Sequence, residues 1–329
     1  MLNFFKHSYI SQQIVIVLMA ILLWMPAFIT KSAFIPGEYN TPLYNIIISL
    51  FDFSPLLLNV IAFAVYLFCI FLFNSVLSAN RLVSKYSTVG ALSFLLMMCS
   101  TPNLHTCYPF LFACPFIMMA MHTLFLIYQT ENPENYMMNV GYFIAIASLF
   151  YYPSVFLMIW VLISLLILRF NNIRYLMIPI TGFIIVNGLY IGLTYLFGDM
   201  NVLMSSYSYF FENLNFSYDL NKYDMILLII FSVLFLISLL RIISNKSSDK
   251  GTNIRKRIGV AIVLTIFAAL MFFIHSPSMN NSLIFMMFAF FYAILLSDIK
   301  KSWIANLVMV FVIILIIANQ YIPLFSIFI

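Results

Sequence analysis

Long apolar stretches without a charge recur along this chain, as in IVIVLMAILLWM at 14–25 and LIFMMFAFFYAILL at 283–296. Such a run has few outcomes. In water it must be covered by other protein. In lipid it can stand exposed, provided its backbone polar groups are satisfied within a helix or a closed barrel. Charge decides between these. Only 8% of the 329 residues are charged and 64% are hydrophobic, whereas soluble domains carry about a quarter charged residues. That is too little polar surface to coat a water-facing globule. Barrel strands would alternate apolar and polar residues over short segments, and these runs are unbroken. The chain is therefore expected to be all-α, a polytopic transmembrane helical bundle.

Spans of about 20 residues are expected at 13–30, 55–79, 86–100, 109–128, 138–151, 153–169, 174–197, 223–242, 258–274, 281–297 and 303–321. The segments 86–100 and 138–151 are short for full crossings. With the N-terminus inside, 13 of the 15 basic residues face the cytoplasm: Lys6, Arg81, Lys85, Arg169, Arg174, Arg241, Lys246, Lys250, Arg255, Lys256, Arg257, Lys300 and Lys301. Only Lys31 and Lys222 fall outside. The positive-inside rule selects this orientation, with the C-terminus outside, and accounts for the net charge of +5 without nucleic acid. Misreading one short segment would invert everything after it. The first helix reads as a retained anchor, since TKSAF is a poor cleavage site.

One transmembrane domain then fills 1–329. It leaves outer segments at 31–54 and 198–222 and a basic cytoplasmic loop at 244–257, read as having no fold of its own and resting on anionic headgroups. Within the first outer segment, YNIIISLFDF suits a short helix in the interface. The Tyr- and Phe-rich segment 198–222 suits an interfacial amphipathic helix.

The candidate chemistry sits in the outer loops. Glu38 follows the Pro36–Gly37 turn, and Asp52 immediately precedes the second span. An acid held between lipid and water is costly, and a raised carboxylate pKa there suits a general base. Either residue also reads as an ordinary solvated carboxylate. Lys31 would neutralise a phosphate or snorkel to headgroups. Cys99, His105, Cys107 and Cys114 are spaced C-x5-H-x-C-x6-C, which matches no zinc pattern, so no metal is expected. His105 reads as a proton carrier or hydrogen-bond donor, or as a satisfied loop histidine. His275, in HSPSMNN, lines an outer cleft or belongs to a helix entry. His122, Asn59, Asn74 and Asn187 lie within spans and are expected to bond across to neighbouring helices, and Gly188 and Gly192 form a small-xxx-small step. Tyr151, Tyr152 and Pro153 make a tight outer joint. No cofactor and no disulfide framework are expected.

The stretch NVGYFIAIASLFYYPSVFLMIWVLISLLILRFNNIRYLMIPITGFI, 139–183, resembles an uncharacterised family of Bacteroidota inner-membrane proteins of unknown function. Asn172, Arg174 and Pro179 carry the likeness, which implies the inner membrane and no known activity. More distantly, the layout is similar to the polyprenyl-phosphate-sugar-dependent glycosyltransferases of the C-type membrane fold, although this first outer loop is shorter and lacks an adjacent acidic pair. That resemblance implies a catalytic acid in the first outer loop, at Glu38 or Asp52.

Three functions stay open. One is an enzyme acting on a polyprenyl-phosphate-linked sugar at the outer face, with Lys31 or His105 near the lipid phosphate. The second is a non-enzymatic scaffold or subunit that assembles with other membrane proteins of the envelope. The third is a transporter or flippase, which the lack of charged residues near mid-membrane disfavours.

Overall fold

The computed structural model describes residues 2–6, 10–30, 41–51, 54–101, 104–128, 130, 132–198, 222–244, 252–274, 282–299 and 302–328. These form helices α1 (Leu2–Phe5), α2 (Ile10–Thr30), α3 (Pro42–Phe51), α4 (Pro55–Ala79), α5 (Val89–Met98), α6 (Pro109–Ile127), α7 (Pro133–Phe150) and α8 (Leu157–Ile167). They continue as α9 (Ile173–Phe197), α10 (Lys222–Ser244), α11 (Thr252–Ile274), α12 (Ser282–Asp298) and α13 (Ser302–Phe328). No strand occurs among the described residues. Among the described residues five helical stretches, Ile10–Ile29, Leu56–Ala79, Pro109–Ile127, Ile173–Leu196 and Lys222–Ser244, are long and apolar enough to cross a membrane.

Each of the eleven expected spans coincides with one helix from α2 or α4–α13, and α3 forms where YNIIISLFDF suggested a short helix. Proline marks several starts: Pro55, Pro109 and Pro133 stand in the first turn of α4, α6 and α7. There the missing N–H costs nothing and the fixed φ already suits the helix. The segment 138–151 looked short because its helix begins earlier, at Pro133. Its 18 residues rise about 27 Å. The Tyr151–Pro153 joint is real: Tyr151 is extended, and Tyr152–Phe156 make a 3-10 turn leading into α8.

Polar contacts between elements sort into two ends. At one, the Thr88 amide donates to Phe5 O at 2.9 Å, Arg257 Nη1 donates to Asn80 O at 2.6 Å, and the Lys256 ammonium lies 3.4 Å from the Tyr128 ring centroid. At the other, Thr41 Oγ1 donates to Phe150 O, the Tyr44 hydroxyl to Cys107 O and Asn319 Nδ2 to Ser100 O, at 2.8, 2.8 and 2.9 Å. Each contact joins segments that an alternating eleven-span path puts on the same side, so α5 and α7 both pass from end to end. The first set contains the basic residues and is called the basic end here.

The centre of the bundle is α5, whose ten residues are all buried, packed against α12, buried from Ser282 to Leu296. The periphery is α9 and α10, whose apolar windows are only 11% and 22% buried. Helix α9 is held mainly by α7. A Cβ on Gly141 would clash with Pro179 O, and one on Gly182 would lie 2.7 Å from Met138 O, so only glycine admits this approach. The expected small-xxx-small contact at Gly188 and Gly192 is not made among the described residues, where a Cβ built on either would meet nothing within 4 Å beyond its own helix. The pattern was right in kind and wrong in place.

Two further expectations change. Residues 252–257 of the basic loop are the first turns of α11, where Arg and Lys are good helix formers and Arg257 is anchored by Asn80. Asn187 bonds within its own helix, donating to Phe183 O at 3.1 Å. Asn59, Asn74 and His122 do bond across: Asn59 to Ala27 O, Asn74 from the Ala91 amide, and His122 Nδ1 at 2.8 Å from Asn80 Nδ2. The segment 199–221, expected as an interfacial helix, lies outside the described residues.

Candidate functional site

Ten residues of α5 rise only about 15 Å, half the ~30 Å hydrocarbon thickness. Beyond Met98 the described residues leave the α-helix but stay buried in protein: Cys99, Ser100, Thr101, Leu104, His105, Thr106, Cys107 and Tyr108 are all under 9% exposed. Irregular backbone at that depth is tolerated only where protein covers it or a cavity adjoins it.

Helix α13 supplies the cover with two adjacent amides. Asn319 Nδ2 donates to Ser100 O at 2.9 Å and to Asp224 Oδ1 at 2.8 Å. Gln320 Nε2 donates to Cys99 O at 2.5 Å and lies 3.3 Å from His105 Nε2. The Trp24 ring stands at 90° to the His105 ring with centroids 5.5 Å apart, an edge-to-face arrangement. The Tyr66 hydroxyl donates to Leu95 O at 3.0 Å and also contacts Cys99 Sγ. Burial pushes the Cys107 thiol up to about 11, against the opposing effect of Tyr44, so it stays protonated at neutral pH. The cysteines of the C-x5-H-x-C-x6-C run go to different partners: Cys99 to Tyr66, and Cys114 to Met286 Sδ at 3.8 Å.

The basic end holds a different kind of place. A cavity of about 910 Å³ lies between the N-terminal segment, the end of α4, the following turn and the end of α12. Lys6, Arg81 and Lys85 line it, together with Ser75, Ser78, Ser84, Ser87 and Ser297 and one acid, Asp298. The turn is built by a helix-ending motif. The Arg81 amide donates to Ser78 O at 3.1 Å and the Leu82 amide to Leu77 O at 3.0 Å, with Arg81 at φ 55°. Glycine is usual at this left-handed position. Arginine there puts a guanidinium at the negative end of α4, where a cation is favoured. Behind the wall, Arg257, only 5% exposed, caps the carbonyl of Asn80. The Arg81 charge is close enough to act on it. Two guanidinium groups thus share one corner.

Of the residues picked from sequence, His105 falls within the described structure, as a buried partner of Gln320 and Trp24. Glu38, Asp52, Lys31 and His275 lie outside the described residues. Sequence reasoning missed Asp224, which the bundle leaves 5% exposed, because a single residue separates it from the exposed Lys222 and it counted only as a charge at the outer end of the 223–242 span. It also missed the cavity, although NRLVSKYST, 80–88, held the signal: two cations and four hydroxyls in one short turn.

Residues 94–328 match the sequence profile of a family described as a family of unknown function (DUF6427). The stretch 139–183, on which the likeness to an uncharacterised family was read, lies inside that match. No curated protein matches, and no solved structure does.

Proposed function

The chain belongs to the family of unknown function DUF6427, a membership that brings no activity with it, and we propose from the geometry that this membrane protein binds a phosphate-bearing headgroup at its basic end. The observation that carries this is the cavity: three cations against one acid, with hydroxyls of Ser75 and Ser84 exposed beside them. Ammonium, guanidinium and hydroxyl donors are the groups that hold phosphate oxygens. The site lies at the ends of apolar helices, level with lipid headgroups rather than free in solution. By the positive-inside rule that level is the cytoplasmic leaflet of a bacterial inner membrane.

Polyprenyl phosphates and acidic phospholipids both belong to this ligand class. Transfer of a sugar from such a carrier, with Glu38 or Asp52 as base at the outer face, is the finer reading suggested by the glycosyltransferase-like layout. His105 does not serve it well, being closed into the core. A second reading, a non-catalytic subunit of an envelope assembly, is supported by α9, whose exposed residues Ile185, Leu189, Leu193 and Leu196 form a long apolar face.

The test is lipid retention. Wild type and a Lys6→Gln, Arg81→Gln, Lys85→Gln variant are purified in zwitterionic nanodiscs, which are doped with phosphatidic acid or a polyprenyl phosphate, or exposed to inorganic phosphate. At about 1 kcal/mol per cation near an anionic surface, the variant should lose about a hundredfold in affinity. Equal retention of every phosphate probe by both proteins would end the proposal. Binding of inorganic phosphate alone would replace the lipid with a soluble anion.

A further inference from the structure

Helices α10 and α13 and the non-helical segment after α5 meet in a cluster of buried oxygens whose charge is unbalanced. Ser100, Asn319, Gln320 and Asp224 are 0%, 4%, 2% and 5% exposed. One nitrogen, Asn319 Nδ2, bonds both the Asp224 carboxylate and Ser100 O, so these oxygens lie within about two hydrogen-bond lengths of each other. The Gln320 nitrogen is spent on Cys99 O and faces His105. That leaves Gln320 Oε1 and Ser100 Oγ buried with no partner among the described residues. Buried polar atoms are rarely left so, and unpaired ones in a native protein point to a missing water or ion.

Charge separates those two. No cationic side chain among the described residues pairs with Asp224, whose described partner is the neutral amide of Asn319. A water molecule satisfies two acceptors but brings no charge, and an uncompensated carboxylate in a buried site is costly. We infer that Asp224, Ser100 and Gln320, with the buried Cys99 and Ser100 carbonyls beyond the end of α5, hold a small monovalent cation. All the free groups are hard oxygen donors, which suits an alkali ion. A single carboxylate balances one positive charge, whereas calcium and magnesium sites usually gather more. A carbonyl beyond a helix end that accepts one hydrogen bond keeps a second lone pair, and non-helical carbonyls are the means by which membrane proteins coordinate such ions at depth. The site is independent of the basic-end cavity, which lies at the opposite end of the bundle.

The full chain is purified in detergent, and its thermal unfolding is followed in sodium, potassium, lithium or choline chloride at constant ionic strength. One small alkali cation should raise the midpoint saturably above that in choline. Asp224→Asn should abolish the response. Because that variant removes a partner of Asn319 and can unfold the protein, Ser100→Ala is measured as well. It keeps the carbonyls and should weaken the apparent cation affinity at least about tenfold. A midpoint equal in all four salts overturns the inference and leaves a water or a proton at the site. So does a cation response that survives unchanged in Asp224→Asn or Ser100→Ala.

Discussion

Arg81 occupies a backbone position that helices usually end with glycine, and Arg169, at φ 72°, repeats the arrangement after α8. A side chain in the left-handed region costs about 1 kcal/mol or more. That cost is offset in part by the helix dipole, worth a few tenths to about 1 kcal/mol for an exposed cation. The two residues differ in surroundings, because Arg81 lines the cavity and Arg169 does not. Arg81→Gly separates fold from ligand at this point. Its unfolding free energy should be unchanged or higher by up to about 1 kcal/mol, while affinity for a phosphate-bearing lipid falls about fivefold. Arg169→Gly should show the same stability and no loss of lipid. Parallel denaturation and lipid-retention measurements decide it. A stabilised Arg81→Gly that keeps its lipid would make the arginine a helix cap and nothing more.

At the scale of elements, the contact between α7 and α9 rests on absent side chains. Gly141→Ala would drive a methyl into the backbone of Pro179, whereas Gly188→Ala adds one in open space. The first change should destabilise the folded protein by about 2 kcal/mol or more, in the range of overpacking, and loosen α9 from the body. The second should be neutral or slightly stabilising through helix propensity. A cysteine cross-link between α7 and α9, tested in each background, reads the difference, and equal cross-linking would refute the glycine contact. This pair also shows what the sequence made legible. Helix existence followed from apolar length, because lipid admits only helices and closed barrels, and a long unbroken apolar run lacks the alternation of a barrel strand. Partner choice did not: Gly188 and Gly192 carry the packing pattern, and Gly141 and Gly182 carry the packing. Spacing along one helix is local, while the identity of the facing helix depends on the whole path. The same limit applies to the sites. Asp224 and Asn319 are 95 residues apart, and Lys6 meets the turn after α4 only once the bundle closes.

For the whole molecule, parity is the quantity that everything else depends on. The contacts at the two ends require that α5 runs from one end of the bundle to the other although it is only ten residues long, and the positive-inside rule then predicts a cytoplasmic basic end. Single cysteines at Ser84 and Asn171 probe that end, and cysteines at Ser54 and Gly198 probe the other. Ser84, Asn171 and Gly198 are exposed, Ser54 is partly so, and the four native cysteines are buried and unpaired. A membrane-impermeant maleimide added to intact cells should label Ser54→Cys and Gly198→Cys, and should reach Ser84→Cys and Asn171→Cys only after the membrane is opened. Labelling of Ser84 and Asn171 on opposite sides would mean that the path between them does not make an even number of crossings, and the bundle's alternation would be wrong. A clean inversion of all four would keep the fold and turn it over. The cationic cavity would then face outward, and the phosphate it binds would have to come from the outer leaflet. The expected pattern instead puts the headgroup site in the inner leaflet and the Asp224 cluster toward the outer one. The two proposed ligands would then approach the protein from opposite faces of the membrane.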